Sequence, residues 1–352
     1  MGEPQPILEP LAPTALFLVA TIDDGGEAAV RDLLADIAGL RRSVGFRLPG
    51  AGLACITSIG SAAWDRLFAG PRPAELHEFP GFVGARHCAP ATPGDLLFHI
   101  KAESQGACFE LAMAIGRELE GAATIVDETA GFRYFEQRDL LGFVDGTENP
   151  EGPAAVSAAL VGDEDPVFTG GSYVIVQKYT HPLADWNALS VEEQEHVIGR
   201  TKLDDFEFSD EDKPANSHVA VNTLVDPDGT ERKILRGNMP FGSVRDGEFG
   251  TYYIAYAATP SVTERMLTRM FVGTEDAAYD RILDFSVAVT GTSFFAPTVD
   301  FLDDLPPAPS DVGQSMESLG TDAVEQAVLA GAATLTGDGT LGIGTLKRST
   351  RQ

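Results

Sequence analysis

The sequence predicts an α+β protein built as a duplicated ferredoxin-like fold, two antiparallel sheets with helices. Three observations carry that prediction. The first 134 residues alternate apolar runs and amphipathic stretches in the order βαβ-βαβ. A similar series follows residue 150. Finally, Pro93-Gly94-Asp95-Leu96-Leu97-Phe98-His99-Ile100 is echoed by Phe249-Gly250-Thr251-Tyr252-Tyr253-Ile254-Ala255-Tyr256, and each run leads into helical sequence.

Residues 1–13 are Pro-rich and acidic and read as an extended arm. The apolar run 15–22 is a buried strand. Val30, Leu33, Leu34, Ile37 and Leu40 repeat at helical spacing, so 28–40 is a helix packed by one face. Strands are expected at 50–58, 95–100 and 123–134, with helices at 62–68 and 108–119. In the second half, 171–179 is a strand. A polar helix at about 190–200 opens on Ser190 with Glu193 three residues on, the spacing of a capping box. Residues 250–257 form a strand, and 262–271 and 277–289 are helical. The expected divisions are 1–150 and 151–302 as the two halves, 303–336 as a Pro-rich linker and 337–352 as a tail.

Composition narrows the function classes. The chain carries 25 basic and 53 acidic residues, a net charge of −28. Such a surface repels phosphate backbones and anionic lipid, which argues against nucleic acid and membrane as partners. Three cysteines far apart in sequence, Cys55, Cys88 and Cys108, support neither a disulfide framework nor a zinc site. With no secretion signal or membrane-length apolar run, the chain reads as cytoplasmic.

The residues that could carry chemistry are few. Gly142-Phe143-Val144-Asp145-Gly146-Thr147-Glu148-Asn149-Pro150 presents one carboxylate on a tight glycine-flanked loop. Alone, it also reads as a plain Asp-Gly turn. The six histidines form no metal-binding pattern. His99 lies in an apolar strand as a core or pocket residue; His181 and His196 read as surface. His218 stands where a polar loop enters an apolar stretch, and a lone imidazole there is either a satisfied structural residue or a ligand. Arg236 is set among Ile234, Leu235, Gly237, Pro240 and Phe241. A guanidinium in that setting pairs with a carboxylate, Asp145 included, or holds an anion.

The Gly142–Pro150 motif followed by His218 and by Arg236-Gly237-Asn238 resembles the dye-decolourising peroxidase family, most closely its bacterial B-type branch. The likeness spans about residues 10–300. It implies a duplicated ferredoxin-like fold with haem b between the halves. It also implies an enzyme that reduces hydrogen peroxide through a ferryl intermediate and oxidises dyes, phenols or other small aromatic donors. By the same resemblance His218 is the proximal iron ligand, and Asp145, Arg236 and Asn238 stand on the distal face. Asp280 accepts the second N–H of His218. Arg200 is a partner for a haem propionate, and Gly146 and Thr147 line the cofactor. Glu148 and Glu231 are a weak indication of a manganese site. A haem carrier or porphyrin-modifying protein on the same scaffold is the alternative.

The tail, Asp338-Gly339-Thr340-Leu341-Gly342-Ile343-Gly344-Thr345-Leu346-Lys347, resembles the peptides that load cargo into encapsulin shells. Leu341, Ile343 and Leu346 would bury in a groove of the shell protein. The expected setting is therefore cytoplasmic, inside an encapsulin compartment, with the enzyme a homo-oligomer.

Overall fold

Side-chain alternation along each strand sets the layers of this molecule. The computed structural model describes residues 2–311. The first unit consists of β1 (Thr14–Ile22), α1 (Glu27–Phe46), β2 (Ala54–Gly60), β3 (Leu96–Ala102), α2 (Gln105–Glu118) and β4 (Ala123–Phe132). Its strands pair antiparallel in the order β4-β1-β3-β2. The second unit repeats the scheme with β5 (Ser172–Thr180), β6 (Leu235–Arg236), β7 (Met239–Ser243), β8 (Glu248–Ala257), β9 (Val287–Ala288) and β10 (Thr292–Ala296). Its order is β6-β8-β5-β10, with β7 also on β8 and β9 also on β5. Its helices include α3 (Val191–Ile198), α4 (His218–Asn222) and α5 (Pro260–Phe271).

The expected duplication is therefore present, but the two sheets are joined. Phe294 and Phe295 of β10 pair with Gly60 and Ile59 of β2, which makes one ten-stranded sheet. The N-terminal arm docks close to that seam. Gln5, buried, donates from Nε2 to the carbonyls of Thr57 and Pro297 (2.8 and 2.7 Å) and accepts from the Thr57 amide at 2.8 Å. One amide side chain thus ties the ends of both units.

Alternation then separates two kinds of core. Leu16, Leu18, Phe98 and Ile100 face outward under α1 and α2, where they meet Leu33, Leu34, Leu111 and Ile115. The opposite residues, Phe17, Val19 and Leu97, face the second unit and pack on Val174, Val176, Tyr252 and Ile254. The Phe17 and Tyr252 rings stack at 4.0 Å, a contact of about 0.5–1.5 kcal/mol beyond simple burial. The remaining face of the second unit, with Ile175 and Tyr179, packs on Leu267, Met270 and Phe271 of α5. So the space between the halves is filled with side chains.

The capping box at Ser190 is complete, with Ser190 and Glu193 each bonding the other's backbone amide. The expected helix over 277–289 is replaced by a single 3₁₀ turn, Arg281–Asp284, and the short strand β9. The cause is Asp280, fully buried, whose Oδ1 caps that turn at the Ile282 amide (3.0 Å) while its Oδ2 reaches His218. The tail, residues 337–352, and most of the linker lie outside the described residues.

Candidate active site

The loop 142–150 turns where glycine is required. Gly142 and Gly146 have φ of 94° and 87°, in the left-handed region that other residues resist. Upstream, the chain pairs back on this loop: the Asp139 amide donates to the Phe143 carbonyl and the Asp145 amide to the Gln137 carbonyl, both at 2.8 Å. Arg138 adds bonds to the carbonyls of Gly142 and Lys202 (2.9 and 2.6 Å). Asp145 is thereby fixed on a short, doubly anchored hairpin.

Asn149 carries that registry to β6. Its Oδ1 accepts from the Arg236 amide at 2.9 Å, and its Nδ2 donates to the Arg236 carbonyl at 2.8 Å. The Asp145 carboxylate accepts from Asn238 Nδ2 at 3.0 Å (Oδ2) and 3.4 Å (Oδ1). Asn238 is itself aimed by the Ile254 amide, which donates to its Oδ1 at 3.2 Å. Asp145, Arg236 and Asn238 thus come together from a loop and a strand pair 93 residues apart.

These three groups line a cavity of about 440 Å³, within the roughly 300–1,000 Å³ range of small-molecule sites. Its walls are apolar at Leu141, Phe143, Ile198, Leu267, Met270 and Ile282. Gly146, Thr147, Arg200 and His218 also line it. The cavity lies on the face of the second unit that carries Tyr179, Thr251 and Tyr253, beneath α4 and α5. No strand of the first unit reaches it; residues 139–148 of the connecting loop close one side. By the expected halves, 1–150 and 151–302, both contribute to the lining, the first only through residues 139–148, while the strands of the two halves meet as packed core. A smaller cavity of about 30 Å³ touches Asp145, Arg236 and Asn238 as well, with Arg133 and Tyr134 in its lining.

His218 opens α4, and its ring is held on one side only. Nδ1 shares a hydrogen bond with Asp280 Oδ2 at 2.7 Å, and Asn222 Nδ2 donates to the same carboxylate oxygen at 3.2 Å. Nε2 bonds to no described residue. With Nδ1 as the donor to a buried carboxylate, Nε2 carries the lone pair, the form that binds a metal.

Four cationic residues line the cavity. Arg200 is engaged by Asp205, Glu148 and Glu207, Arg232 by Asp226, and Lys233 by Glu148 and Glu231. Arg236 is the exception: among the described residues its guanidinium has no hydrogen-bond or ion-pair partner. The alternative of an Arg236–Asp145 ion pair is thus not realised. Glu148 and Glu231 are both held by Lys233, and no group of three metal-ligating side chains occurs among the described residues.

Two residues in the lining were misjudged or missed from sequence. His181, read as surface, is buried, with Nε2 bonded to Thr251 Oγ1 and Nδ1 to Ser286 Oγ (both 2.9 Å). Burial pushes its pKa down to about 4. Asp139 also lines the cavity; removal from water, and then the charge of Asp145, pushes its carboxyl up to about 7. Its position three residues before the Gly142 motif was the available signal.

With this geometry in hand, comparisons settle the family. A Dyp-type peroxidase N-terminal family model matches residues 4–133, and the C-terminal model matches residues 136–301. The chain belongs to the Dyp-type peroxidase family. A dye-decolorizing peroxidase of Rhodococcus erythropolis is 59% identical over 349 residues, 99% of this chain and 98% of the relative. One from Mycobacterium tuberculosis is 63% identical over 306 residues, 87% of this chain and 91% of that protein. The cryo-EM structure of the encapsulated DyP-type peroxidase from Mycobacterium smegmatis has a TM-score of 0.86 at 66% identity, covering 88% of this chain and all (100%) of the other. A variant of Rhodococcus jostii DypB in complex with haem has a TM-score of 0.84 at 54% identity, covering 86% of this chain and 99% of that one. No helix among the described residues of this Dyp-type peroxidase is long and apolar enough to cross a membrane.

Proposed function

We propose that this chain is a haem b peroxidase in which His218 would hold the iron and Asp145, Arg236 and Asn238 would act on peroxide. The observation that carries the assignment is the presence of two chemistries in the lining of one cavity. One is an imidazole whose Nδ1 is held by Asp280 and whose Nε2 has no partner among the described residues; the other is a carboxylate with a guanidinium that is likewise unpaired among them. The residues fit the cofactor: a planar apolar macrocycle suits the aliphatic walls, and an iron suits a neutral imidazole nitrogen. Arg200, Gly146 and Thr147 border the same space. In this structure Arg200 is held by acids, so a propionate would have to compete with Asp205 and Glu148 for it.

When bound, the haem supplies the electrons that reduce peroxide and recovers them one at a time from dyes, phenols or other small aromatic donors. The protein's part is proton and charge management. Asp145 Oδ1 or Oδ2 would take a proton from one oxygen of peroxide and return it to the other. Asn238 Nδ2, donating to that carboxylate, fixes its direction. The Arg236 guanidinium stabilises the negative charge that builds as the O–O bond breaks, and its strength there follows from having no partner among the described residues. Asp280 keeps the His218 ring in place and makes it a stronger electron donor.

The test is a visible spectrum of the haem-loaded protein followed by stopped-flow mixing with peroxide. A rapid loss of the resting Soret band in the wild type and a slow one in Arg236→Leu are expected; equal speed in the two would overturn the role of Arg236. We also infer packaging in an encapsulin shell through residues 337–352. Its supports are the targeting-like tail sequence and the encapsulated state of the Mycobacterium smegmatis relative. Co-expression with a shell protein should load the full chain and exclude one lacking residues 337–352.

A further inference from the structure

One buried polar pair takes no part in the chemistry above. Tyr256 of β8 and His99 of β3 are each 3% exposed, and Tyr256 Oη lies 2.8 Å from His99 Nδ1. Burial holds the tyrosine well above its usual pKa. It holds the histidine well below, with help from the charge of Lys101. Both are therefore neutral, and the proton between them sits on oxygen: Tyr256 donates and Nδ1 accepts.

The pair stands directly behind the Arg236–Asn238 segment. Leu235 pairs with Tyr256 and Arg236 with Ala255 in the β6–β8 ladder. A Cβ built on Gly237 would lie 3.6 Å from His99 Cε1. One strand layer thus separates the pair from the cavity. The His99 ring also stacks on Phe17 at 4.6 Å, and Phe17 stacks on Tyr252, so aromatic rings pack continuously around it.

We propose that Tyr256 and His99 form a proton-coupled redox pair that holds one oxidising equivalent produced by the reaction with peroxide. The inference rests on the haem peroxidase reading. In the step, Tyr256 gives one electron to the peroxide-oxidised haem. Its O–H bond breaks, the proton moves to His99 Nδ1, and an N–H bond forms, leaving a neutral tyrosyl radical beside an imidazolium. When a donor returns one electron, the proton goes back to Oη.

The other tyrosines show why this one is suited, beginning with Tyr134, whose hydroxyl bonds to no described residue. An oxidised phenol is a strong acid and needs a base in line with its O–H. Tyr179 donates to Gln177 Oε1, an amide oxygen that cannot keep a proton. The Tyr252 and Tyr253 hydroxyls bond to no described residue. Tyr173 Oη accepts from the Glu75 amide. Tyr279 reaches the Asp284 carboxylate only at 3.4 Å, and that carboxylate also holds Arg86. An imidazole at 2.8 Å is a proton acceptor of the right kind. Burial, and then the ammonium of Lys101, disfavours a positive charge on His99, so the proton returns to the phenolate once the electron does.

The experiment is rapid-freeze EPR of the haem-loaded enzyme mixed with one equivalent of peroxide and no donor. The wild type should give a tyrosyl signal that narrows when the protein is grown on ring-deuterated tyrosine. Tyr256→Phe should lose that signal with its Soret spectrum intact. His99→Gln, which can hydrogen-bond the phenol but not keep its proton, should lose it too. An unchanged signal in Tyr256→Phe, or a wild-type signal in His99→Gln, overturns the pair. A wild type that consumes peroxide without any tyrosyl signal defeats this inference alone. A wild type that neither binds haem nor consumes peroxide defeats the peroxidase reading with it.

Discussion

The two walls of the cavity are built on opposite plans. On the His218 wall the orienting carboxylate is closed in: Asp280 is fully buried and receives His218, Asn222 and the Ile282 amide at once. On the Arg236 wall the backbone is fixed by Asn149, yet the guanidinium has no partner among the described residues. The first wall spends its hydrogen bonds on orienting one nitrogen. The second keeps its strongest donor available. A residue that must hold a metal in one position needs the first plan, and a residue that must meet a transient charge needs the second.

Substitutions should separate the two plans by what they destroy. The largest effect is expected from His218→Ala, which should abolish stable haem binding, read by absorbance titration. Arg236→Leu should leave haem binding intact and slow the peroxide reaction by about 10²–10³-fold, the loss typical of one charge-stabilising donor. A matching loss of haem in Arg236→Leu would erase the contrast. Asp280→Asn should keep the fold and weaken haem affinity by roughly 10–100-fold, as removal of a ligand's orienting carboxylate does. It should alter the reaction with peroxide less than Arg236→Leu does.

Smaller effects come from protons. Asp139 has its pKa raised from an ordinary 3.8 to about 7. Between those values the folded chain keeps a proton that the unfolded chain has released, so this group's contribution to stability falls as pH rises through that window. His181 works in the reverse sense. Its pKa is lowered from 6.5 to about 4, so between those values the unfolded chain binds a proton that the folded chain refuses, and stability falls as pH drops. Thermal melts of the haem-free protein should show Asp139→Asn gaining most over the wild type above pH 7 and little near pH 4. A gain that grows toward acid would contradict the sign.

Much of this was legible in the chain. The buried face of α1 follows from the spacing of Val30, Leu33, Leu34 and Ile37, and the start of α3 follows from Ser190 and Glu193. The meeting of Asp145 with Asn238 could be anticipated only through the family resemblance, because their approach depends on pairing across 93 residues. What stayed hidden was tertiary. Alternation along β5 and β8 shows that two faces exist but not which one packs on the first unit, so the side of the sheet that carries the cavity could not be read from sequence. His181 precedes a proline, as many surface residues do, and only the approach of Thr251 and Ser286 reveals that it is enclosed. The helical period of 277–289 is real, but it loses to the single demand that Asp280 turn inward.

The amide of Asn149 has a consequence for how this chain can vary. It holds both the N–H and the C=O of Arg236, 87 residues further on. Between those two points the chain leaves to build β5, α3 and α4 and returns to one fixed clasp. Exposed turns on that path that carry no site residue can therefore lengthen, shorten or be nicked by a protease without moving Asp145 against Arg236. Natural insertions and engineered fusions should be tolerated there far better than any substitution of Asn149 itself.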